Sequence, residues 1–123
     1  MALQSNPRQG QKERGNTMKE YQLFVGLDDQ HEKRQIVETE KAVSIIAQAL
    51  LDAGIEGATF TQGKGLYRYQ NGSIGFENSV IVSVLDFDGN AESAIHQMIP
   101  SIKSALNQES VALKSYDVES VLL

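Results

Sequence analysis

Cysteine and tryptophan are absent from this chain of 123 residues. Without cysteine there is no disulfide, no thiolate nucleophile and no thiolate metal ligand, and a cytoplasmic setting is the default. Histidine is scarce. His31 and His96 stand far apart, and no His-Glu-x-x-His ligand pattern exists. A Gly-x-Ser-x-Gly elbow is also missing. No residue is therefore singled out as catalytic, and no metal or cofactor is expected. No apolar run is long enough to span a bilayer, and the polar N-terminus lacks a signal-peptide pattern. Basic side chains number 11 against 16 acidic ones, for a net charge of −5. Neutralising phosphates needs clustered Lys and Arg, so nucleic acid is an unexpected partner, whereas a basic protein is not.

What is present fits one folded unit. Apolar residues make up 41% and charged residues 22%, ordinary values for a globular domain of this length. Residues 1–17 are polar with almost nothing to bury, and read as a disordered leader ahead of a domain over 18–123. Met18 is an alternative start, since Lys12-Glu-Arg-Gly15 fits a purine-rich, ribosome-binding-like coding stretch.

Periodicity predicts a first strand over 21–27, with Leu23, Val25 and Leu27 on one face and Phe24 on the other. A charged loop at 28–33 precedes an amphipathic helix over 36–53, which Gly54 stops. A second strand follows at 57–69. The third, at 77–86, has Val80, Val82 and Val84 on one face and Ile81 and Leu85 on the other. Asn90 is the expected N-cap of a second helix bearing Ile95, Met98, Ile99, Ile102 and Leu106. Pro100 falls within that stripe and is expected to kink or split it. A last strand covers 109–116, and the apolar tail 117–123 is expected to dock on the body or on a neighbour.

The order β-α-β-β-α-β predicts an α+β, ferredoxin-like sandwich: a four-stranded antiparallel sheet with two helices on one face. Large apolar groups then occupy the uncovered face as well, which predicts a homo-oligomer.

The stretch from Gly57 to Glu77 carries the clearest functional signal. Asn71-Gly72 predicts a two-residue type I′ turn, because that turn needs positive φ at both positions. In that register Tyr69 pairs with Ile74 and Tyr67 with Phe76, so all four share one face of a projecting arm. Leu66 and Arg68 then face the other way, opposite Glu77 and Gly75. Gly63-Lys64-Gly65 interrupts the strand just before the arm. The candidate ligand- or partner-binding residues are Lys64, Tyr67, Arg68, Tyr69 and Phe76. Two further clusters are weaker. Asp28, Asp29, His31 and Glu32 hold metal-ligand types, yet read as a solvated acidic loop. Asn107-Gln-Glu-Ser110 reads as helix termination and strand entry.

The element order and the run Gly57-Ala-Thr-Phe-Thr-Gln-Gly-Lys-Gly65 resemble the PII-like (nitrogen-regulatory) superfamily over roughly 19–116. The resemblance implies a ferredoxin-like fold, a trimer, and an arm at 66–76 standing where that superfamily has its signalling loop. The glycine-rich nucleotide loop of that superfamily is missing, and Ser104–Ser110 takes its place, so ATP and 2-oxoglutarate are not carried over. The chain is also similar to an uncharacterised bacterial family through Phe24-Val-Gly-Leu27, Gly63-Lys-Gly-Leu-Tyr67 and Gln108-Glu-Ser-Val111.

The function expected from these features is a small cytoplasmic, oligomeric binding or regulatory module that uses its hairpin arm. It would be a trimer if PII-like and a dimer otherwise. The alternatives are a small ferredoxin-like enzyme with an intersubunit pocket, or an interaction protein aimed at one protein target.

Overall fold

A computed structural model describes residues 16–123, so nearly all of the expected leader lies outside the described residues. The elements run β1 (Asn16–Gly26), α1 (Thr39–Asp52), β2 (Thr59–Arg68), β3 (Ile74–Asp86), α2 (Ala91–Leu106) and β4 (Ala112–Ser120). The four strands form one antiparallel sheet in the order β2-β3-β1-β4, which is the ferredoxin-like arrangement expected from the sequence.

Side-chain alternation divides the sheet cleanly. Tyr21, Leu23 and Val25 of β1 and Val80, Val82 and Val84 of β3 point at the helices and are buried. Ala42, Ile46 and Leu50 of α1 meet them, as do Ile95, Met98, Ile102 and Leu106 of α2. These repeats of three and four residues put one stripe of each helix against the sheet. Phe24, Ile81 and Leu85 fall on the opposite, uncovered face, and Leu85 is 37% exposed.

Both helices end as their sequences dictate. Gly54 and Asn107 adopt the left-handed conformation, with φ of 89° and 49°. The amides of Ile55 and Gln108 each reach back to the carbonyl five residues earlier, Leu50 and Lys103.

Several expectations need correction. Helix α1 begins at Thr39, not at 36, because Gln35 is still held in extended chain by its bridge to Asp28 and its bonds to Val37 and Thr39. Helix α2 runs unbroken through Pro100. The carbonyl that loses its donor is that of His96, and both residues are exposed, so that carbonyl is open to solvent. Asn90 holds the N-cap position of α2 as expected, but its side chain makes no capping bond; Asp86 Oδ1 instead accepts the amides of Gly89, Asn90 and Ala91. Strand β1 starts at Asn16, and β4 continues to Ser120 because the two pair over Asn16–Phe24. Only Val121, Leu122 and Leu123 remain as an exposed apolar end.

The hairpin register is shifted by one residue. The Tyr69 amide donates to the Ser73 carbonyl at 2.8 Å, and the Gly72 amide to the Tyr69 carbonyl at 2.9 Å. The turn therefore holds Gln70, Asn71 and Gly72, with Gly72 alone at positive φ, 91°. This is the three-residue solution, a type I turn closed by a left-handed glycine. Asn71 Oδ1 accepts from the amide and hydroxyl of Ser73, which fixes this alternative to type I′. A one-residue slip exchanges faces for every side chain of one strand relative to the other. Leu66 now opposes Phe76, Tyr67 opposes Gly75, and Arg68 opposes Ile74.

Candidate functional site

The corrected register makes the arm two-faced. Leu66, Ile74 and Phe76 lie on the helix side, where they are 66%, 48% and 63% exposed. Arg68 shares that face and donates to the Gly72 carbonyl at 2.8 Å. Tyr67 and Tyr69 lie on the other side, continuous with the uncovered face of the sheet. The expected single face of Tyr67, Tyr69, Ile74 and Phe76 does not exist.

Tyr67 rests flat on Gly75: a Cβ there would stand 2.6 Å from the tyrosine Cζ. Its ring meets that of Tyr69 edge-on, with centroids 4.9 Å apart, and the two hydroxyls are 2.7 Å apart. The Tyr67 hydroxyl also donates to Asp28 Oδ2 at 3.4 Å. The bond to Tyr69, desolvation, and the nearby Asp28 and Glu77 push the Tyr67 phenol above its ordinary value. It therefore stays protonated and acts as a hydrogen-bond donor, not as a base.

Glu77 stands next to this pair, on the same face of β3. Its carboxylate lies over Gly26 of β1, where a Cβ would come within 2.7 Å of both oxygens. Gly65 is its partner across to β2. Oε2 accepts the Asp28 amide at 3.0 Å. Bare Gly26 thus gives a half-buried carboxylate a floor that any side chain would fill, while a Cβ at Gly65 would meet Glu77 only in ordinary contact, 3.8 Å from Cγ.

These groups border a cleft of about 700 Å³. Phe24, Ile81, Tyr67 and Tyr69 give it apolar and aromatic walls, and Asp28 and Glu77 give it charge. Lys64 lines its edge from strand β2, and Lys33 does so from the loop after β1. Of the five residues singled out by sequence, Tyr67 and Tyr69 face the cleft and Lys64 borders its edge from the strand, its side chain alternating onto the helix side with those of Arg68 and Phe76.

The loop after β1 is tied to the end of α2. Gln108 Nε2 donates to the Asp28 carbonyl at 2.7 Å, Gln30 Nε2 to Asn107 Oδ1 at 2.9 Å, and Asn107 Nδ2 to Asp29 Oδ2 at 2.8 Å. Asp29 Oδ1 also accepts the amides of His31 and Glu32. The Asp28–Glu32 cluster is thus a loop lock. Among the described residues no group of three or more His, Asp or Glu is placed to hold a metal ion. The Asn107–Ser110 junction terminates the helix, and it also lines the cleft.

The Glu32 amide, then the Asn107 side chain and the His31 amide, hold the Asp29 carboxyl below the usual carboxylate value. A carboxyl depressed in the folded state contributes stability that is complete above its unfolded value and is lost as pH falls through the folded one. Acidification to below the ordinary carboxylate value of 3.8 is therefore expected to release this loop. The readout is loss of hydrogen-exchange protection at the His31 and Glu32 amides. Protection unchanged on such acidification would contradict the lock.

Sequence reading missed the roles of Glu77, Gly26 and Gly75, and weighed Asp28 only as a metal ligand or as part of a solvated acidic loop. The available signal was glycine set across from a large or charged side chain, which needs the correct register before it becomes visible. A second concavity, of about 450 Å³, lies at the far end of the sheet between the 53–59 and 85–90 loops. There Asp86 is occupied in capping α2. No helix among the described residues is long and apolar enough to cross a membrane.

Among solved structures, a phage SAM lyase in complex with S-methyl-5′-thioadenosine is similar at 21% identity and TM-score 0.60, covering 84% of this chain and 90% of that one. CutA from Synechococcus elongatus is 18% identical with TM-score 0.56, covering 86% and 82%. A nitrogen regulatory PII-like protein from Thiomonas intermedia is 13% identical with TM-score 0.47, covering 88% and 97%. At these identities the likeness is one of fold. No curated protein matches the chain. Residues 20–121 match the family described as "Protein of unknown function (DUF3574)", a span that includes all three short motifs at 24–27, 63–67 and 108–111, and the chain belongs to that family.

Proposed function

We propose that this chain is a small oligomeric ligand-binding module in a cytoplasmic setting, with its ligand site in the cleft at the root of the arm. The observation that carries this reading is Glu77 on its glycine floor, walled by Tyr67 and Tyr69. A sheet needs no half-buried carboxylate on a bare glycine floor, and a concave site with apolar walls and a few fixed polar groups is the usual form of a small-molecule site. The phage enzyme of similar fold is complexed with S-methyl-5′-thioadenosine, which makes an adenosine-bearing thioether the first ligand to try.

Oligomerisation has its own support. The exposed strip Leu66, Ile74 and Phe76 and the exposed end Val121–Leu123 belong to opposite edges of the sheet, β2–β3 and β4. They also lie at opposite ends of β1, since Ser120 pairs with Asn16 and the hairpin turn lies beyond Gly26. One molecule cannot cover the first with the second, but a neighbouring copy can. An enzyme remains a second reading, favoured by the neighbouring Asp28 and Glu77 carboxylates in one cleft and by the lyase activity of the phage protein.

Thermal unfolding with and without millimolar S-methyl-5′-thioadenosine or S-adenosylmethionine tests the ligand site. A ligand at about 100 times its Kd stabilises by about 2.7 kcal/mol. A concentration-dependent rise in Tm is expected, and no rise with either compound counts against the site. Product analysis of the S-adenosylmethionine sample separates binding from turnover. Light scattering is expected to report more than one copy, with Phe76→Asp shifting the mass toward the monomer. A wild-type monomer at high concentration would remove the oligomer from the proposal.

A further inference from the structure

We infer that the cleft takes an organic ligand with a positively charged centre, and that Glu77 and Asp28 read its charge. The inference rests on the cleft being a ligand site, as proposed above, and adds the ligand's class. Four carboxylates line the cleft, Asp28, Asp29, Glu77 and Glu109, against two amines, Lys33 and Lys64. Asp29 is turned onto the His31 and Glu32 amides and Asn107. Lys64 alternates onto the helix side of β2, across from Asn78, and Lys33 is exposed. Glu77 stands on the sheet face that floors the cleft, and Asp28 is bonded both to it and to Tyr67.

An anionic ligand would meet like charge there. A neutral one would strip water from the half-buried Glu77 without replacing it, which is unfavourable for an ionised group. A cation satisfies both carboxylates, and the faces of Tyr67 and Tyr69 attract it further through their π electrons. The Glu77 carboxylate is already fixed by the Asp28 amide, so little ordering is needed on binding. A bare metal ion does not fit this chemistry: the cleft is roomy at about 700 Å³, and its walls at Phe24, Ile81 and the two tyrosines are apolar or aromatic. A sulfonium or substituted ammonium attached to an apolar or aromatic body matches both charge and walls.

Matched ligand pairs test this by calorimetry and by titration of backbone amide shifts. S-adenosylmethionine and S-adenosylhomocysteine differ by one methyl group and one positive charge. Choline and 3,3-dimethylbutan-1-ol have the same shape and differ in charge alone. In at least one pair the charged member is expected to bind about tenfold or more tightly than the neutral one. Glu77→Gln keeps the acceptor for the Asp28 amide and is expected to erase most of that gap. Asp28→Asn is expected to narrow it, which provides a second variant should the first fold poorly. Equal affinity within both pairs would overturn the charge assignment and leave the cleft as a site. No shift at the cleft amides with any of the four compounds would overturn the ligand site and this inference together.

Discussion

Leu23→Ala is expected to destabilise the protein by about 2–5 kcal/mol, the range for emptying a leucine site in a packed core. Leu23 is fully buried on β1, between Val82 of β3 and Leu113 of β4, on the face that the helices cover. Its neighbour in sequence gives the contrast. Phe24 points to the uncovered face, is partly exposed, and has the Lys114 ammonium 5.4 Å above its ring. Phe24→Ala is expected to lose clearly less stability than Leu23→Ala, although phenylalanine is the larger side chain. Urea unfolding of both variants measures the difference. A Phe24 cost equal to or above that of Leu23 would show that the second face is covered in solution, as an oligomer built on that face requires.

Gly26→Ala is expected to lose ligand binding while keeping most of its stability. The new Cβ would come within 2.7 Å of both Glu77 oxygens. These atoms are the far end of a side chain held there by one hydrogen bond, so the carboxylate moves aside and the backbone does not. The bond from the Asp28 amide is lost with it, at about 1–3 kcal/mol if the amide finds no water. The cleft then has its charge displaced and its floor filled. Binding is expected to weaken by about tenfold or more, the loss of roughly one charge-assisted bond. A variant that binds as tightly as the parent would place the ligand elsewhere, and one that fails to fold would mean that Glu77 cannot move.

The fold was legible because two periods were clean. Val80, Val82 and Val84 alternate with Ile81 and Leu85, and Ile95, Met98, Ile102 and Leu106 recur every three or four residues. Such patterns depend on many residues at once, and one misplaced side chain does not disturb them. The site depended on a single turn. Asn71-Gly72 suits a two-residue type I′ turn, and it equally suits a three-residue turn in which only Gly72 is left-handed. The bonds from Asn71 to Ser73 and from Arg68 to the Gly72 carbonyl accompany the second solution, and neither is visible in a dipeptide. With the register one residue off, Gly75 was set against Arg68, and its role as the bed for the Tyr67 ring stayed hidden. Lys64, Tyr67 and Tyr69 were still found, since glycine and aromatic residues mark the region whichever way they face. Glu77 was not, because its partner glycine, Gly26, lies on a strand more than 50 positions earlier, and sequence alone gives no reason to join them.

Asp86 teaches the same lesson at smaller scale. Asn90 has the right chemistry and position for a cap, yet Asp86 reaches over the turn to three amides at once. A charged acceptor at a helix N-terminus is favoured over a neutral one by the helix dipole.

The most direct measurement is a map of amide shifts during titration with S-adenosylmethionine. The account expects the largest changes at Gly26, Asp28, Gly65, Tyr67, Gly75 and Glu77, and little change across the 53–59 and 85–90 loops. Changes concentrated at those loops, or on the helix side of the arm at Leu66 and Phe76, would contradict it.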